Sequence, residues 1–139
     1  MCLTIGPVER LAISVLFRVC LLVEMPGQGF INLTSHLALF LFKVGAGDGL
    51  LSVLMPYTSD SLAGQENADS DVRADLLDAL IRLALECAFY RHNAEGPDDM
   101  PAHIRTMLTD TLLVLPVVNG RISLGTWQVV YLVEHRATI

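Results

Sequence analysis

Cysteine is scarce in this sequence, and the spacing of the cysteines argues against both a thiolate zinc site and a disulfide framework. The 139 residues contain three cysteines, Cys2, Cys20 and Cys87, and no two of them have the C-x-x-C spacing of a thiolate zinc site. An odd number of widely separated cysteines also argues against a disulfide framework. We therefore expect all three to be packing residues, as free cysteines commonly are.

Positive charge is also in short supply. Nine lysines and arginines stand against fifteen aspartates and glutamates, which gives a net charge of −6. General nucleic-acid binding is driven by cationic side chains that release counterions from phosphates. DNA and RNA are therefore not expected partners.

No apolar run is long enough for a membrane helix. The longest, Leu11 to Val23, is interrupted by Arg18 and is shorter than the ~20 residues that a span requires. The first ten residues include Pro7 and Glu9 and no cleavage site follows them, so a secretory signal is not indicated. We expect a cytoplasmic protein with no membrane partner.

The composition that remains is rich in apolar residues. Hydrophobic residues make up 53% of the sequence and charged residues 17%, against a usual balance of roughly half and a quarter. One hydrophobic core accounts for a chain of this length, so a single domain covering residues 1–139 is predicted. The apolar excess suggests buried contacts between subunits.

Strand and helix patterns mix without a regular βαβ repeat. The predicted strands are Ser14–Val23, one starting at Phe30, Leu50–Met55, Thr111–Val117, Arg121–Leu124 and Val129–Val133. The predicted helices are His36–Lys43 with Thr34 or Ser35 as N-cap, one starting at Asp71 with Asp69 or Ser70 as N-cap, and a short one through His103 and Leu108. Asn119-Gly120 predicts a type I′ hairpin turn. These patterns predict an α+β fold, a mainly antiparallel sheet packed with a few helices.

Three polar clusters hold the candidate functional residues. They are Tyr57–Ser61 with Glu66–Asp69, then Arg91–His103, then Gly125–Gln128 with Glu134–Arg136. A polar loop is predicted to begin at Tyr57. Each cluster is expected at a strand end or in a loop, where functional sites are commonly built on a rigid scaffold.

Carboxylates and histidines in these clusters are candidate metal ligands. Two sets of side chains offer the oxygen ligands that Mg²⁺ prefers: Glu66, Asn67 and Asp69, and Asp98 with Asp99. His103 can bind a transition metal or transfer a proton near neutral pH. The alternative is structural: Asp69 caps the following helix, the other acids are solvated, and His103 is satisfied by an ordinary hydrogen bond.

Aromatic and cationic residues of the sequence also allow both a ligand-binding and a structural interpretation. Trp127 can be a stacking platform for a flat heterocycle, although a lone tryptophan between strands is more often part of the core. Arg121 and Arg136 can hold phosphate through their planar guanidinium groups, or can be surface charges. A zinc hydrolase site that uses His103 and His135 stays open as a third interpretation.

Taken together, the clusters resemble the YjbQ-type family, described as secondary thiamine-phosphate synthases. The residues that carry the resemblance are Tyr57-Thr58-Ser59-Asp60-Ser61-Leu62, Glu66-Asn67-Ala68-Asp69, the decapeptide Glu95–Ile104, Gly120-Arg121, Gly125-Thr126-Trp127-Gln128 and Glu134-His135-Arg136. The match runs from roughly Gly29 to the C-terminus. Residues 1–13 look like a variable N-terminal extension.

The resemblance implies a mixed α+β fold assembled as a homotrimer, with a polar pocket close to a subunit contact. The reaction it implies joins a pyrimidine diphosphate to a thiazole phosphate, so a small phosphorylated molecule is the expected partner and a divalent metal, Mg²⁺ or Zn²⁺, the expected cofactor. We expect three sets of site residues: catalytic His103, Asp99 and Arg136; substrate-binding Ser59, Ser61, Asn67, Trp127 and Gln128; and the metal ligands Glu66, Asp98, His103 and His135. The alternatives are a non-catalytic trimer that binds a metal or an anion, and a metal-dependent hydrolase.

The chain departs from the family pattern at two positions. Tyr57 stands where the first motif usually opens with His, and Asp60 stands where a small residue is common. A tyrosine is a poor substitute metal ligand because its phenol titrates near pH ~10. A metal site at that position would be weakened, or rebuilt with an oxygen from Asp60.

Overall fold

The computed structural model describes residues 4–137. Within this range the chain forms six strands and three helices, in the order β1 Gly29–Asn32, α1 Thr34–Lys43, β2 Gly49–Leu54, β3 Asp60–Glu66, α2 Ser70–Leu83, α3 Asp99–Leu108, β4 Leu112–Val118, β5 Arg121–Ile122 and β6 Gln128–Glu134. None of the helices in this range is both long enough and apolar enough to cross a membrane.

The strands form two antiparallel sheets. The first sheet has the order β1-β6-β3 and the second has the order β2-β4-β5. In the first sheet Asp60 lies opposite Glu134 at one end of β3, and Glu66 lies opposite Gln128 at the other. The α+β fold predicted from the sequence is confirmed, and its sheets are wholly antiparallel in the described residues.

The two faces of the first sheet contact different layers. Alternate residues of a strand point to opposite faces, so Leu62 and Leu132 face the hydrophobic core that the two sheets share with α1. On the other face, Ser61 and His135 lie against Thr109 and Arg105, which belong to α3 and the residues just after it. The first sheet therefore separates the apolar core from a polar layer under the helices.

The helix ends confirm one predicted cap and contradict another. Asp69 is the N-cap of α2, and its Oδ1 accepts a hydrogen bond from the Asp71 backbone N at 2.9 Å. The cap predicted for α1 is wrong, because the N-cap residue is Leu33 and no side chain caps it. The hydroxyl of Thr34 instead accepts from the Val130 backbone N, which ties the helix to β6.

The turn at Asn119-Gly120 confirms the predicted hairpin. Both residues have positive φ, 51° and 78°, as a type I′ turn requires. A Cβ on Gly120 would lie 2.7 Å from the carbonyl oxygen of Ala46. Glycine is therefore required here for space as well as for backbone conformation.

Two strand predictions are wrong. Residues 14–23 form no strand: their backbone makes no hydrogen bond to another described segment, and their apolar side chains are mostly exposed. Conversely, the loop predicted after Tyr57 becomes strand β3 at Asp60. Its sequence, with polar residues and Gly64, has little strand propensity of its own, and seven pairs with β6 hold it in place.

The expectation that the cysteines are packing residues is also wrong for two of them. Cys20 and Cys87 are exposed and free, because each lies in a part of the chain that the core does not cover. Cys2 lies outside the described residues.

Candidate metal centre

Two histidines and one aspartate converge where α3 begins. Asp99 and His103 are four residues apart on α3, a spacing that places both side chains on one face of a helix. His92 comes from the loop that precedes the helix. One ligand atom from each of the three residues lies within 4.8 Å of the others.

Asp99 is the centre of this cluster. Its Oδ2 lies 2.8 Å from His92 Nε2 and 3.1 Å from His103 Nε2. Asp99 is nearly buried, whereas the side chains of His92 and His103 are 48% and 32% exposed. A carboxylate at the base and two accessible imidazoles leave one side of the cluster open to solvent.

A backbone carbonyl fixes the orientation of His103. The ring Nδ1 lies 3.0 Å from the Thr58 carbonyl oxygen, which can only accept, so Nδ1 carries a proton. Nε2 is left facing Asp99 and the open side of the cluster. Histidines that ligate metals usually donate their other ring N–H in this way.

The surroundings keep Asp99 ionised. Burial acts to raise the pKa of the Asp99 carboxyl, but the hydrogen bond from His92 and the charges of His103 and Arg136 outweigh it, so the pKa is lowered. A carboxylate that stays deprotonated can ligate a cation without first losing a proton.

Arg136 is bound to the two neighbouring carboxylates. Its guanidinium contacts Asp98 Oδ1 at 3.1 Å and Asp99 Oδ1 at 3.4 Å, and it donates to the Glu95 carbonyl oxygen at 2.9 Å. The hydrogen bond to Asp98 is the largest cause of a raised Arg136 pKa. The three residues predicted to be catalytic, His103, Asp99 and Arg136, are thus brought together, with Arg136 holding Asp99 in position.

The other residues predicted as metal ligands lie elsewhere. Both oxygens of Asp98 are engaged by Arg136, and one of them also accepts from the Ala137 backbone N. His135 is buried, with Nε2 only 2.7 Å from Ser61 Oγ, and its Nδ1 has no hydrogen-bond partner among the described residues. Of the four predicted ligands, only His103 belongs to the cluster; the role of the others stays a prediction.

Burial keeps His135 neutral. Desolvation and the charge of Arg105 lower the pKa of its imidazole to about 4. Ser61, to which it is bonded, also accepts from Thr109 Oγ1 at 2.7 Å. Ser61 is completely buried in this hydrogen-bond network, and its role in substrate binding stays a prediction.

Most of the remaining predicted site residues lie at the other end of β3. Glu66 pairs with Gln128 there, and a seven-residue strand spans roughly 20 Å. Asn67 Oδ1 accepts from the Tyr131 hydroxyl at 2.7 Å, and Gln128 Oε1 accepts from the Gly125 backbone N. Trp127 is 64% exposed, which excludes the alternative that it belongs to the core, and its role in substrate binding stays a prediction. Ser59, by contrast, directly precedes β3, and its backbone carbonyl accepts from the His135 backbone N.

The two positions that depart from the family pattern do not join the cluster. Tyr57 is exposed. Asp60 is buried beside Glu134, and burial, then the hydrogen bond and charge of Glu134, raise the pKa of Asp60 to about 7. The carboxyl of Asp60 therefore lies against Glu134, and Asp60 does not belong to the cluster of His92, Asp99 and His103.

Sequence reasoning missed His92. It lies in a loop, where no periodicity relates it to Asp99, which comes seven residues later in the sequence. The available signal was its place in the polar cluster Arg91–His103, which already contained one candidate histidine and one candidate aspartate.

The fold and the cluster together define a class: an α+β protein of two antiparallel sheets, with an open His-Asp-His site at a helix start. The sequence profile of the family described as "UPF0047 protein YjbQ-like" matches residues 21–138. The chain belongs to this family.

Relatives and solved structures agree with this assignment. A UPF0047 protein of Synechocystis is 46% identical over 117 residues, which cover 84% of this chain and 80% of the relative. The crystal structure of an uncharacterised YjbQ/UPF0047 protein from Clostridium acetobutylicum has a TM-score of 0.76 and 31% identity, covering 83% of this chain and 87% of the other. The crystal structure of a conserved hypothetical protein from Thermus thermophilus has a TM-score of 0.74 and 35% identity, covering 82% of this chain and 86% of the other. The family has no established function.

Proposed function

We propose that this protein is a metal-dependent hydrolase of a small phosphorylated molecule, with His92, Asp99 and His103 as the metal ligands. The observation that carries the proposal is the convergence of these three side chains within 4.8 Å. Two imidazole nitrogens and one carboxylate form a donor set that suits Zn²⁺ better than Mg²⁺, which prefers oxygen ligands.

The geometry supports catalysis as well as binding. Three protein ligands leave a position for water or substrate, as in catalytic zinc sites. A metal ion held there would polarise a phosphoryl oxygen and lower the pKa of a water molecule. The hydrogen bond from His92, with the charges of His103 and Arg136, keeps Asp99 ionised by lowering its pKa. The exposed ring of His92 is accessible to an anionic substrate.

Metal analysis tests the proposal, with a matched control inside the chain. We expect protein purified without chelator or affinity tag to hold near-stoichiometric zinc, and His92→Gln to lose most of it. His36→Gln is the control, since His36 lies exposed on α1 and outside the cluster. Hydrolysis of a chromogenic phosphate ester should fall with the metal content. Full metal in His92→Gln would refute the site, while bound metal without any turnover would favour the non-catalytic binding protein.

A second candidate function is the transferase reaction that yields thiamine phosphate. The observation that favours it is the exposed ring of Trp127, which offers a stacking surface for a flat heterocycle. Gln128 follows Trp127 in sequence, and the Asn67 backbone N donates to the Trp127 carbonyl oxygen. Incubation with the pyrimidine diphosphate, the thiazole phosphate and Mg²⁺ tests it. Formation of thiamine phosphate that is lost in Trp127→Ala but kept in His92→Gln would select this reaction over hydrolysis.

We also propose that the protein assembles as a homotrimer. The outer face of the second sheet supports this, because it is apolar and no described part of the chain covers it. Its large exposed side chains are Leu50, Leu54, Leu112, Val114 and Val118. Contiguous apolar surfaces of this kind commonly mark subunit contacts. Light scattering after size-exclusion chromatography tests this proposal: a molar mass three times that of one chain supports the trimer, and any other mass contradicts it.

A further inference from the structure

We propose that the groove between the N-terminal residues 13–25 and the core binds a small organic cation, an apolar molecule that carries a protonated amine. The ammonium group contacts the carboxyl groups of Asp60 and Glu134, and the apolar part lies along the neighbouring leucines. Asp60 and Ser61 are successive residues of β3 and so point to opposite faces of the first sheet. The site is therefore separate from the Ser61–His135 network, and it does not depend on the metal centre or on the proposed hydrolase activity.

The groove is large enough for such a molecule and has an apolar wall beside Asp60. Its volume is about 1510 Å³, which exceeds the ~300–1,000 Å³ of common small-molecule pockets, so a ligand needs only the end at Asp60. Leu62 and Leu132 line the groove there. They are directly opposed in β3 and β6, two residues from Asp60 and Glu134 and on the same face of the sheet.

Asp60 and Glu134 form a buried pair of acids without a cation. They are directly opposed in β3 and β6 and are 9% and 7% exposed. Within residues 4–137, no lysine, arginine or histidine forms an ion pair with either carboxyl group. Burial and the adjacent Glu134 raise the pKa of Asp60 to about 7. Because buried acids are usually paired with a cation, this pair is suited to one that comes from outside the chain.

One carboxyl oxygen of the pair has no donor in the described chain. Asp60 Oδ1 is buried and accepts no hydrogen bond from the described residues, and Asp60 lines the groove. On the other side of Glu134 the opposed residue is Gly29 of β1, where an added Cβ would meet nothing within 4 Å beyond its chain neighbours. The groove therefore presents an unsatisfied acceptor, and Gly29 adds no side chain over the pair.

The charges along the groove favour a cation over an anion. Among the described residues that line it, Glu24, Asp48 and Asp60 are acidic and Arg18 is basic. An ammonium group has three donors, so it can donate to Asp60 Oδ1 and to an oxygen of Glu134 together, and its charge offsets the repulsion between the two acids. A divalent metal ion requires about six oxygen ligands, which the leucines beside the pair do not supply.

Titration calorimetry of the full chain at pH 7.5 tests the proposal with two matched probes, phenethylamine and 2-phenylethanol. They share the apolar part, and only the first carries an ammonium group. We expect the amine to bind at least ~10-fold more tightly than the alcohol, because its hydrogen bonds to the carboxyl groups are charge-assisted. Asp60→Asn should weaken binding of the amine by ~10-fold or more and leave binding of the alcohol unchanged.

Two variants are controls for this titration. Asp78→Asn lies on the exposed side of α2, and His92→Gln lies in the metal centre; both should bind the amine as the native chain does. Equal affinity of the native chain and Asp60→Asn for the amine would overturn the proposal. A loss of binding in His92→Gln would also overturn it, because it would place the amine on the metal centre.

A second measurement locates the ligand without any variant. In NMR spectra of the native chain with phenethylamine, the ring protons should show Overhauser contacts to the methyl groups of Leu62 and Leu132. Contacts confined to other parts of the chain, or no binding at about 10 mM amine, would contradict the proposed site.

Discussion

Asp99 Oδ2 lies 3.1 Å from His103 Nε2, one helical turn further along α3, and the same oxygen lies 2.8 Å from His92 Nε2. Two imidazoles directed at one carboxylate oxygen are either hydrogen-bonded to it or placed to share a cation with it. Because Thr58 accepts the Nδ1 proton of His103, the nitrogen directed at Asp99 is the one available to a metal. The start of α3 thus places Asp99 and His103 so that both can contact the same cation.

The buried pair Asp60 and Glu134 predicts an unusual pH dependence of stability. The pKa of Asp60 is raised from 3.8 to about 7 in the folded chain, so the folded state holds a proton that the unfolded state releases. The contribution of this carboxyl group to the free energy of unfolding is therefore fully present below pH 3.8 and is lost as the pH rises towards 7. Asp60→Asn should be more stable than the native chain at pH 8, with a difference that shrinks as pH falls to 4.

Urea unfolding at several pH values measures this difference, with Asp78→Asn on the exposed side of α2 as control. The control should follow the native chain throughout. A stability difference for Asp60→Asn that stays constant between pH 4 and pH 8 would show that the side chain does not titrate in this window.

Arg105 connects α2, α3 and β6 from a buried position. Its guanidinium donates to the backbone carbonyls of Leu80, Ala84 and His135. Leu80 and Ala84 belong to the last turn of α2 and its C-cap. The Leu80 carbonyl also accepts from the Ala84 backbone N, whereas the Ala84 carbonyl lies beyond the last helical hydrogen bond. The Leu80 and His135 carbonyls keep a second donor, the Ala84 backbone N and the Gln28 side chain. Arg105→Met should therefore lower the free energy of unfolding by about 1–3 kcal/mol, because it leaves the Ala84 carbonyl unsatisfied.

Denaturant unfolding tests the role of Arg105. Arg105→Lys should not restore stability, since one ammonium does not reproduce the planar fork of donors. Arg82→Ala, on the exposed surface of α2, is the control and should change stability by less than about 0.5 kcal/mol. Full stability in Arg105→Lys would mean that the positive charge alone, and not the three hydrogen bonds, is required.

The two glycines beside the β4–β5 hairpin make a matched pair. Gly120 has φ 78° and no room for a Cβ beside Ala46, whereas Gly47 has ordinary φ and nothing within 4 Å of a built Cβ. We expect Gly120→Ala to lower the melting temperature, with a cost of at least ~1–2 kcal/mol, and Gly47→Ala to be close to neutral. Equal effects from the two changes would contradict the steric argument.

The sequence predicted those elements whose signals are local. Asp69 caps α2 because a side-chain cap depends only on residues two or three positions away, and Asn119-Gly120 forms its turn because positive φ is a property of those two residues. β3 was not predictable in this way. Its polar residues become a strand because β6 supplies a partner for every one of them.

The difference between local and long-range signals also explains which residues of the candidate site could be predicted. Asp99 and His103 share a helix face, so their proximity follows from spacing alone. His92 and Arg136 reach them from a loop and from the end of β6, and no sequence pattern relates those positions. Glu66 was grouped with the site as a carboxylate of the first polar cluster, but a strand carries successive residues apart by about 3.3 Å each.

The most direct test of the metal centre is the zinc affinity of Asp99→Asn, measured by competition with a chromophoric chelator at pH 7.5. The change keeps the shape of the side chain and removes its charge. We predict that affinity falls at least ~100-fold, since the loss exceeds the ~10–100-fold typical of residues that only orient a ligand, while Asp110→Asn, an exposed residue outside the cluster, binds as the native chain does. Native affinity in Asp99→Asn would contradict the assignment of His92, Asp99 and His103 as a metal site.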